Sequence, residues 1–327
     1  MRDRPPIRRT AEHLASLARF VRRREAREQR DGAVLADLVR EPLGLPAGLE
    51  LEWLGTAGYR LTYEGATLLL DPYLSRVPLA DVLHRRPAVG DARRQDVVVD
   101  RDLGDVVGIL VGHTHFDHAI DVPLLARRLG ARAYGSDSLV RLMALHGLAD
   151  RAVEVEPHRE IELGPFRVSF VPSLHSKLLL GLRVPFDGAL SCEHLDHLSP
   201  GAYRCGAVFG IRIAVAGCTL YHQGSANLLD DELPAGGVDV FLAGIAGRSF
   251  TDRYWERILP RLDPAVVVAG HFDDFFRPLD APQGFSTNVA LAALPGEIAA
   301  VSRDARVAAL PLGPSPPRGD AAPMPAR

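Results

Sequence analysis

The segment from Val111 to His118 limits most strongly what this chain can fold into, because it gathers metal-binding side chains at the end of an apolar run. Its six last residues include four such side chains: His113, His115, Asp117 and His118. Neutral imidazole nitrogens and carboxylate oxygens are the ligands that zinc prefers after thiolate. His113 and His115 can point the same way from an extended loop, and the other two can face a second ion. The segment therefore predicts a strand that ends in a metal-binding loop.

Short apolar runs separated by glycine predict a fold rich in strands. The predicted strands are Leu49–Leu54, Tyr59–Tyr63, Thr67–Leu70, Val106–Val111, 152–155, 166–171, 207–222, 238–243 and 265–270. Helical patterns occupy 121–130 and 136–147, and the second is predicted to be capped by Ser136 or Asp137 and ended by Gly147. Strands, then strands mixed with helices, and then the same order again indicate two sheets with helices outside.

The chain divides into three regions: a basic helical segment over 1–48, a strand-rich domain over 49–312 and a Pro-rich tail over 313–327 that is predicted to be disordered. The first 40 residues contain 11 Arg against 6 Asp and Glu, and Leu14, Leu17 and Val21 recur there at helical spacing. We expect a helix over 10–30 that packs this stripe on the main domain and leaves the Arg cluster 22–24 solvated. Binding to an anionic membrane or nucleic acid is the alternative.

The His-x-His-x-Asp-His pattern resembles the signature of the metallo-β-lactamase superfamily, and the resemblance extends over roughly residues 50–312. Trp53–Gly58 and Leu68–Pro72 are similar to the family's opening strands and its Asp-containing turn. His175 ends the run Val-Pro-Ser-Leu-His, and His271 ends a hydrophobic run in Gly-His. Both match histidines of the family's later motifs.

The resemblance implies one ion held by His113, His115 and His175, and a second held by Asp117, His118 and His271. It also implies an α/β (α+β) fold, a four-layer αβ/βα sandwich in which two mixed β-sheets pack face to face beneath outer helices. The region 49–312 would be this domain. Its cleft is expected at the edge of the sandwich where Val106–Val111 and Ala265–Ala269 end.

One position departs from the family pattern. The fourth motif usually ends in Gly-Asp, whose carboxylate bridges the two metals, whereas the matching stretch here runs from Thr219 to Ser225 and ends in Gly-Ser. A neutral hydroxyl is a poor zinc ligand. Two cations about 3.5–4 Å apart then repel each other with less compensation. We therefore expect Ser225 to mark a weak second site, which His222 or Gln223 could assist.

The stretch from Ser191 to Cys205 contains two cysteines and two histidines. We interpret it as a loop over the cleft, with His194, His197 and the preceding Arg183 as candidate substrate contacts. The alternative is a small structural zinc site made by Cys192, His194, His197 and Cys205, although the cysteines are not paired as Cys-x-x-Cys.

The predicted activity follows from the metal. A bound zinc lowers the pKa of its water to about 7 and polarises the bond under attack, and Asp117 beside that water can orient it and move its proton. The resemblance is strongest to the branch of ascorbate-phosphate lactonases and N-acylphosphatidylethanolamine phospholipase D-type enzymes, judged by residues 113–121 and 134–136. We expect a metal-dependent hydrolase of a lactone, ester or phosphodiester, with Zn, Mn or Fe as the metal. A weakly catalytic metal-binding sensor and a nuclease are the alternatives.

Composition narrows the class of protein further. The chain has 327 residues, 47% of them hydrophobic and 24% charged, with a formal net charge of -3, which is typical of an ordinary globular protein. No apolar run approaches the roughly 18 residues that cross a bilayer, and no signal peptide is evident. Three cysteines do not make a disulfide framework, so a reducing cytoplasm is expected. The acidic body after residue 40 favours a small-molecule or lipid-like substrate over nucleic acid.

Overall fold

Two β-sheets form the centre of the molecule in the computed structural model, which describes residues 24–101, 103–178, 181–282, 284–286 and 289–313. The first sheet has six strands in chain order: β1 (Glu50–Gly55), β2 (Gly58–Tyr63), β3 (Ala66–Leu70), β4 (Asp105–Leu110), β5 (Ala133–Gly135) and β6 (Ala152–Glu154). Strands β1 to β3 are antiparallel, whereas β3 to β6 run parallel. The sheet is therefore mixed.

The second sheet is also mixed and has seven strands in the order β13-β12-β11-β10-β9-β8-β7. These strands are β7 (Ile161–Leu163), β8 (Phe166–Ser173), β9 (Val208–Val215), β10 (Cys218–Gln223), β11 (Val240–Gly244), β12 (Val266–Gly270) and β13 (Arg306–Ala309). Strands β10 to β13 are parallel, and β7 to β10 are antiparallel. As a result β8, β10 and β12 point the same way.

Helices cover the outer faces of the two sheets. The α-helices of the described residues are α1 (Arg24–Leu38), α2 (Leu79–Leu83), α3 (Ala92–Val99), α4 (Phe116–Ala119), α5 (Val122–Leu129), α6 (Asp137–Leu145), α7 (Tyr254–Leu262) and α8 (Leu294–Ala299). None of these helices has both the length and the apolar character that crossing a bilayer requires.

Alternation along the strands assigns each side chain to a layer. In β3, Leu68 and Leu70 belong to the core between the sheets, together with Phe166 and Phe170 of β8. Leu69 points the other way and packs in a second core with residues of α5 and α6. Strand β12 is buried at all five positions, as expected of a strand covered on both faces. The predicted four-layer sandwich is confirmed.

Several elements differ from the sequence-based predictions. The run 207–222 is not one strand but the hairpin of β9 and β10, because Ala216 and Gly217 adopt positive φ angles of 51° and 75°. Two residues in that conformation reverse the chain between antiparallel strands. The strands β5, β7 and β13 and the helices α2, α3, α4, α7 and α8 were not predicted. Most of these elements are too short for periodicity to indicate them.

The N-terminal helix also differs in its bounds. It begins no later than Arg24 and extends to Leu38, beyond the predicted end at residue 30. Leu38 is buried in the hydrophobic core that includes β12 and β13, and Val34 and Leu35 pack against that core. The stripe of Leu14, Leu17 and Val21 and the tail after Gly313 lie outside the described residues.

Candidate metal centre

All six predicted ligands follow the ends of strands at one edge of the sandwich. His113 and His115 follow β4, and Asp117 and His118 lie in the short helix α4 directly after them. His175 stands two residues after β8, and His271 directly follows β12. Because these strands point the same way within their sheets, their carboxyl ends meet at the same edge. The structure therefore brings together the two sets that the motifs indicate: His113, His115 and His175 in the first, and Asp117, His118 and His271 in the second.

The first set is a compact group of three imidazoles. Within this set, one potential ligand atom from each residue lies within 4.8 Å of the others, and His113 Nε2 is 3.1 Å from His115 Nδ1. The nitrogen Nε2 of His115 donates to the carbonyl oxygen of Pro185 at 2.8 Å, and Nδ1 of His175 donates to that of Ser176 at 2.7 Å. These hydrogen bonds leave Nδ1 of His115 and Nε2 of His175 with free lone pairs for a metal ion.

Burial keeps the first set uncharged. It lowers the pKa of His115 to about 4 and lowers the pKa values of His113 and His175 well below the ordinary value. Neutral imidazole is the form that binds a metal ion, so no proton has to be displaced at neutral pH. The donor chemistry of this set fits a divalent cation.

The second set combines a carboxylate with two imidazoles. Asp117 Oδ2 is 3.3 Å from His271 Nε2 and 3.9 Å from His118 Nε2. Burial by itself would raise the pKa of Asp117, but His118 and His271 outweigh it and hold this pKa below the ordinary value. Nδ1 of His271 is buried without a partner among the described residues. An ionised carboxylate beside histidine nitrogens also fits a cation, and the rings of His113 and His118 are only 3.8 Å apart, so the two sets adjoin.

Asp71 fixes the orientation of His118 from behind. Its Oδ2 accepts hydrogen bonds from His118 Nδ1 and from His222 Nε2, each at 2.9 Å, and its Oδ1 accepts from the Gly112 backbone at 2.7 Å. Burial acts to raise the pKa of Asp71, yet the two histidines hold it below the ordinary value. Such a carboxylate orients a metal-binding imidazole and raises its basicity.

This arrangement corrects the suggestion that His222 assists the second site. The side chain of His222 contacts Asp71 and belongs to neither ligand set. Sequence reasoning noted Asp71 only as part of the Leu68–Pro72 turn and missed its link to His222. The 151 residues that separate the pair along the chain carry no signal of that contact.

His271 adopts a backbone conformation that is uncommon for a residue other than glycine, with a φ of 55°. Its backbone N–H donates to the Thr56 carbonyl at 2.7 Å, and the Thr56 N–H donates to Asp273 Oδ1 at 2.9 Å. The turn after β1 therefore holds the loop that carries His271. Surrounding contacts of this kind are needed for strained residues to persist at functional sites.

Ser225 stands two residues after β10, beside the first set. Its Oγ accepts a hydrogen bond from the Ser176 backbone at 3.0 Å, next to His175 of the first set. The preceding Gly224 packs on the second set, since a Cβ there would come within 2.9 Å of His118. The segment Gly224–Ser225 therefore adjoins both sets, Ser225 on the side of the first and Gly224 on the side of the second.

The loop residues named as candidate substrate contacts lie elsewhere. Arg183, His194 and His197 are exposed, and none of them is among the described residues that line the cleft. The alternative zinc site is not assembled either, because neither potential ligand group in the described residues includes Cys192 or Cys205. Cys192 instead donates to the carbonyl oxygen of His194 at 3.2 Å, and all three cysteines are free. Pro185 and Phe186, which follow shortly after Arg183 in the sequence, do line the cleft.

A cleft of about 570 Å³ opens beside the two sets. His115 and His175 of the first set and Asp117 and His271 of the second line it. The remaining described lining is largely apolar, with six phenylalanines. A substrate in this cleft would contact residues of both sets at once.

Comparison with known proteins identifies the family. The family model described as a β-lactamase superfamily domain matches residues 50–271. The chain belongs to this family. A UPF0173 metal-dependent hydrolase of Anaeromyxobacter sp. (strain K) is 29% identical to this superfamily member over 245 residues, which cover 72% of this chain and 78% of the relative. A UPF0173 protein of Pyrococcus furiosus is 28% identical over 228 residues, covering 69% and 85% of the two chains.

A solved structure shares the architecture of this β-lactamase superfamily member. CmlA, a diiron β-hydroxylase from Streptomyces venezuelae, matches with a TM-score of 0.53 at 17% identity, covering 83% of this chain and 54% of that chain. At this identity the likeness concerns the fold alone. With its family and relatives established, the chain is a metal-dependent hydrolase of the metallo-β-lactamase fold, as the sequence predicted.

Proposed function

We propose that this hydrolase uses water to cleave a lactone, ester or phosphodiester bond in a small or lipid-like molecule. The observation that supports this most is that His115, His175, Asp117 and His271, from both candidate ligand sets, line one cleft. A substrate bond placed there would lie beside residues of both candidate ligand sets. The described lining contains a single arginine, Arg24, which is too little positive charge for a nucleic-acid groove.

We assign a tightly held zinc ion to His113, His115 and His175, with manganese or iron as the alternatives. When bound, it would polarise the bond under attack and lower the pKa of water to about 7. A second, weaker ion is assigned to Asp117, His118 and His271, because Ser225 supplies no negative charge between the sets. Asp71 would orient His118 for this second ion.

Asp117 is the proposed general base. Its carboxylate is ionised at neutral pH, since its pKa is held low, and it faces the cleft. It would accept a hydrogen bond from the attacking water, orient it and take its proton. The proton would then pass to the leaving oxygen as the bond from that oxygen to carbon or phosphorus breaks. One water is consumed, and the products are an acid and an alcohol, which remain parts of one hydroxy acid when the substrate is a lactone.

The test begins with the metal content of full-length protein purified without added metal. The protein is then loaded with Zn, Mn or Fe and assayed on p-nitrophenyl acetate, γ-butyrolactone and bis(p-nitrophenyl) phosphate. We expect hydrolysis of at least one substrate, lost on chelation and restored by metal. His113→Ala and His175→Ala should lose the tight ion and nearly all activity, and Asp117→Asn should lose activity while keeping that ion.

His158→Asn provides the matched control. His158 is an exposed histidine that bonds Glu232, and asparagine tolerates its positive φ of 62°. This variant should keep both metal and activity. Full metal content in His113→Ala, or activity that survives chelation in every variant, would contradict the assignment.

A further inference from the structure

The aromatic walls of the cleft begin at the candidate ligands themselves. The ring of Phe186 lies 6.4 Å from that of His115, and the ring of Phe275 lies 5.5 Å from that of His271. Phe275 in turn packs on Phe276, with ring centroids 4.3 Å apart. The phenylalanines of the described lining are Phe116, Phe186, Phe250, Phe275, Phe276 and Phe285. An apolar surface is therefore continuous with both ligand sets.

The apolar surface continues to the mouth of the cleft. Leu79, at the start of α2, lines the cleft and is 47% exposed. Phe186 lines it as well and is 36% exposed. Apolar side chains that remain exposed beside a cleft commonly mark a binding site. The mouth therefore suits a substrate whose apolar part extends from the reacting bond towards the surface.

The small number of charged residues in the lining also favours an apolar substrate. Apart from the histidines, Arg24 is the one cation among its described residues, and its Nε is 3.0 Å from Glu28. The acidic Asp274 lines the same cleft. A site built for a phosphorylated or multiply anionic substrate needs several unpaired donors or cations. This lining does not supply them.

We propose that the substrate of this hydrolase is an ester or lactone whose acyl part is an apolar chain, which occupies the phenylalanine-lined cleft while the bond to be cleaved lies at the ligand sets. The inference rests on the proposed function and deepens it. Apolar ligand sites of this size bind through buried area, with few polar groups to fix orientation. Chain length should therefore control the rate.

The buried area of the chain sets how strongly its length affects the rate. Burying one methylene contributes about 0.8 kcal/mol. At about 1.36 kcal/mol per tenfold change in rate, this corresponds to about fourfold in kcat/KM for each methylene added. The gain should stop once the chain fills the cleft and further methylenes reach solvent.

The test uses the zinc-loaded full-length chain and p-nitrophenyl esters from acetate to octanoate. We expect kcat/KM to rise about fourfold per methylene before it levels off. Phe275→Ala and Phe276→Ala should flatten this dependence, lowering the rate on hexanoate about tenfold and that on acetate less than about twofold. Leu229→Ala is the matched control, because Leu229 is an exposed apolar residue, 37% accessible, that is not among the lining residues. Its chain-length dependence should equal that of the unchanged protein.

A binding measurement separates this inference from the proposed function. Alkyl hydroxamates, which carry a metal-binding head and an alkyl tail, are titrated by calorimetry into the zinc-loaded protein, whether or not it hydrolyses the esters. The affinity of the unchanged protein should rise about fourfold for each methylene of the tail. The affinity of Phe275→Ala should not rise with tail length. Tight tail-dependent binding without hydrolysis would uphold the apolar site and contradict the ester activity. Rates and affinities independent of chain length would overturn the inference and leave the hydrolase proposal intact.

Discussion

Arg76 and Asp273 form an ion pair of 2.7 Å whose side chains are only 1% and 2% exposed. The same carboxylate accepts from the backbone of Thr56, whose carbonyl oxygen accepts from His271. Asp273 thus ties both the segment after β3, which carries Arg76, and the turn after β1, which carries Thr56, to the loop that carries a candidate ligand. It joins the two sheets at the edge where the ligands meet.

Breaking this pair should destabilise the protein strongly. Arg76→Met leaves Asp273 buried without its countercharge, a change that typically costs about 3–5 kcal/mol of unfolding free energy. Urea denaturation measures this loss of unfolding free energy. The double variant Arg76→Met/Asp273→Asn should cost less than the sum of the two single variants, because no charge is then left unpaired. Arg86→Met is the control: Arg86 forms an exposed pair with Asp81 at 2.8 Å, so its loss should cost less than about 1 kcal/mol. Equal costs for the two arginines would contradict the role given to the buried pair.

Asp71→Asn should weaken the second metal site and spare the first. The asparagine is neutral and has one oxygen in place of two, so it cannot accept from the two histidines and from the Gly112 backbone at the same time. Loss of such an orienting carboxylate lowers metal affinity about 10–100-fold. Calorimetric titration of metal into the two sites gives the comparison, and Asp150→Asn, at an exposed position, is the control. A variant that weakens both sites equally would show that Asp71 acts on the fold and not on His118.

Ser225→Asp should tighten the second ion. It places a carboxylate between two cations, and a new charge pair at the edge of a protein cleft strengthens binding by about tenfold or more. Ser225→Ala, which removes only the hydroxyl that accepts from Ser176, should leave the second ion as weak as before. The measurement is a two-site calorimetric titration. If both sites of the unchanged protein already bind with equal affinity, Ser225 does not have the consequence assigned to it.

The metal-free protein should lose stability on mild acidification. The pKa of His115 is lowered by burial to about 4 in the folded protein, against about 6.5 when unfolded, so the unfolded chain binds more protons between these values. The contribution of His115 to stability is therefore complete above about pH 6.5 and is lost as the pH decreases towards 4, whereas the raised pKa of His118 acts in the opposite direction. Asp71 and Asp117 have lowered pKa values and lose their stabilising effect only at still lower pH. Thermal unfolding between pH 7.5 and 5 measures the effect, and His115→Gln should reduce it. A thermal unfolding midpoint that rises on acidification by the same amount in the unchanged protein and in His115→Gln would contradict the neutral, buried state of His115.

The ligand sets could be predicted because each ligand belongs to a local pattern. His113, His115, Asp117 and His118 are contiguous, and His175 and His271 follow apolar runs that form β8 and β12. The pattern of apolar residues within a strand indicates where the strand ends. The residue that follows then lies at the edge of the sheet where the parallel strands end. The fold class followed from the same strands and from the resemblance of their motifs.

Tertiary structure alone decided the remaining features. Asp71 meets His222 across 151 residues, and Arg76 meets Asp273 across 197, so no window of sequence contains either contact. The Cys192–Cys205 stretch looked chemically rich, yet packing turned His194 and His197 outward. The aromatic cleft joins phenylalanines from three separate connecting segments and from α4. Local sequence determines which groups stand at strand ends, whereas long-range packing determines which of them share a buried space, because burial depends on every element that covers it.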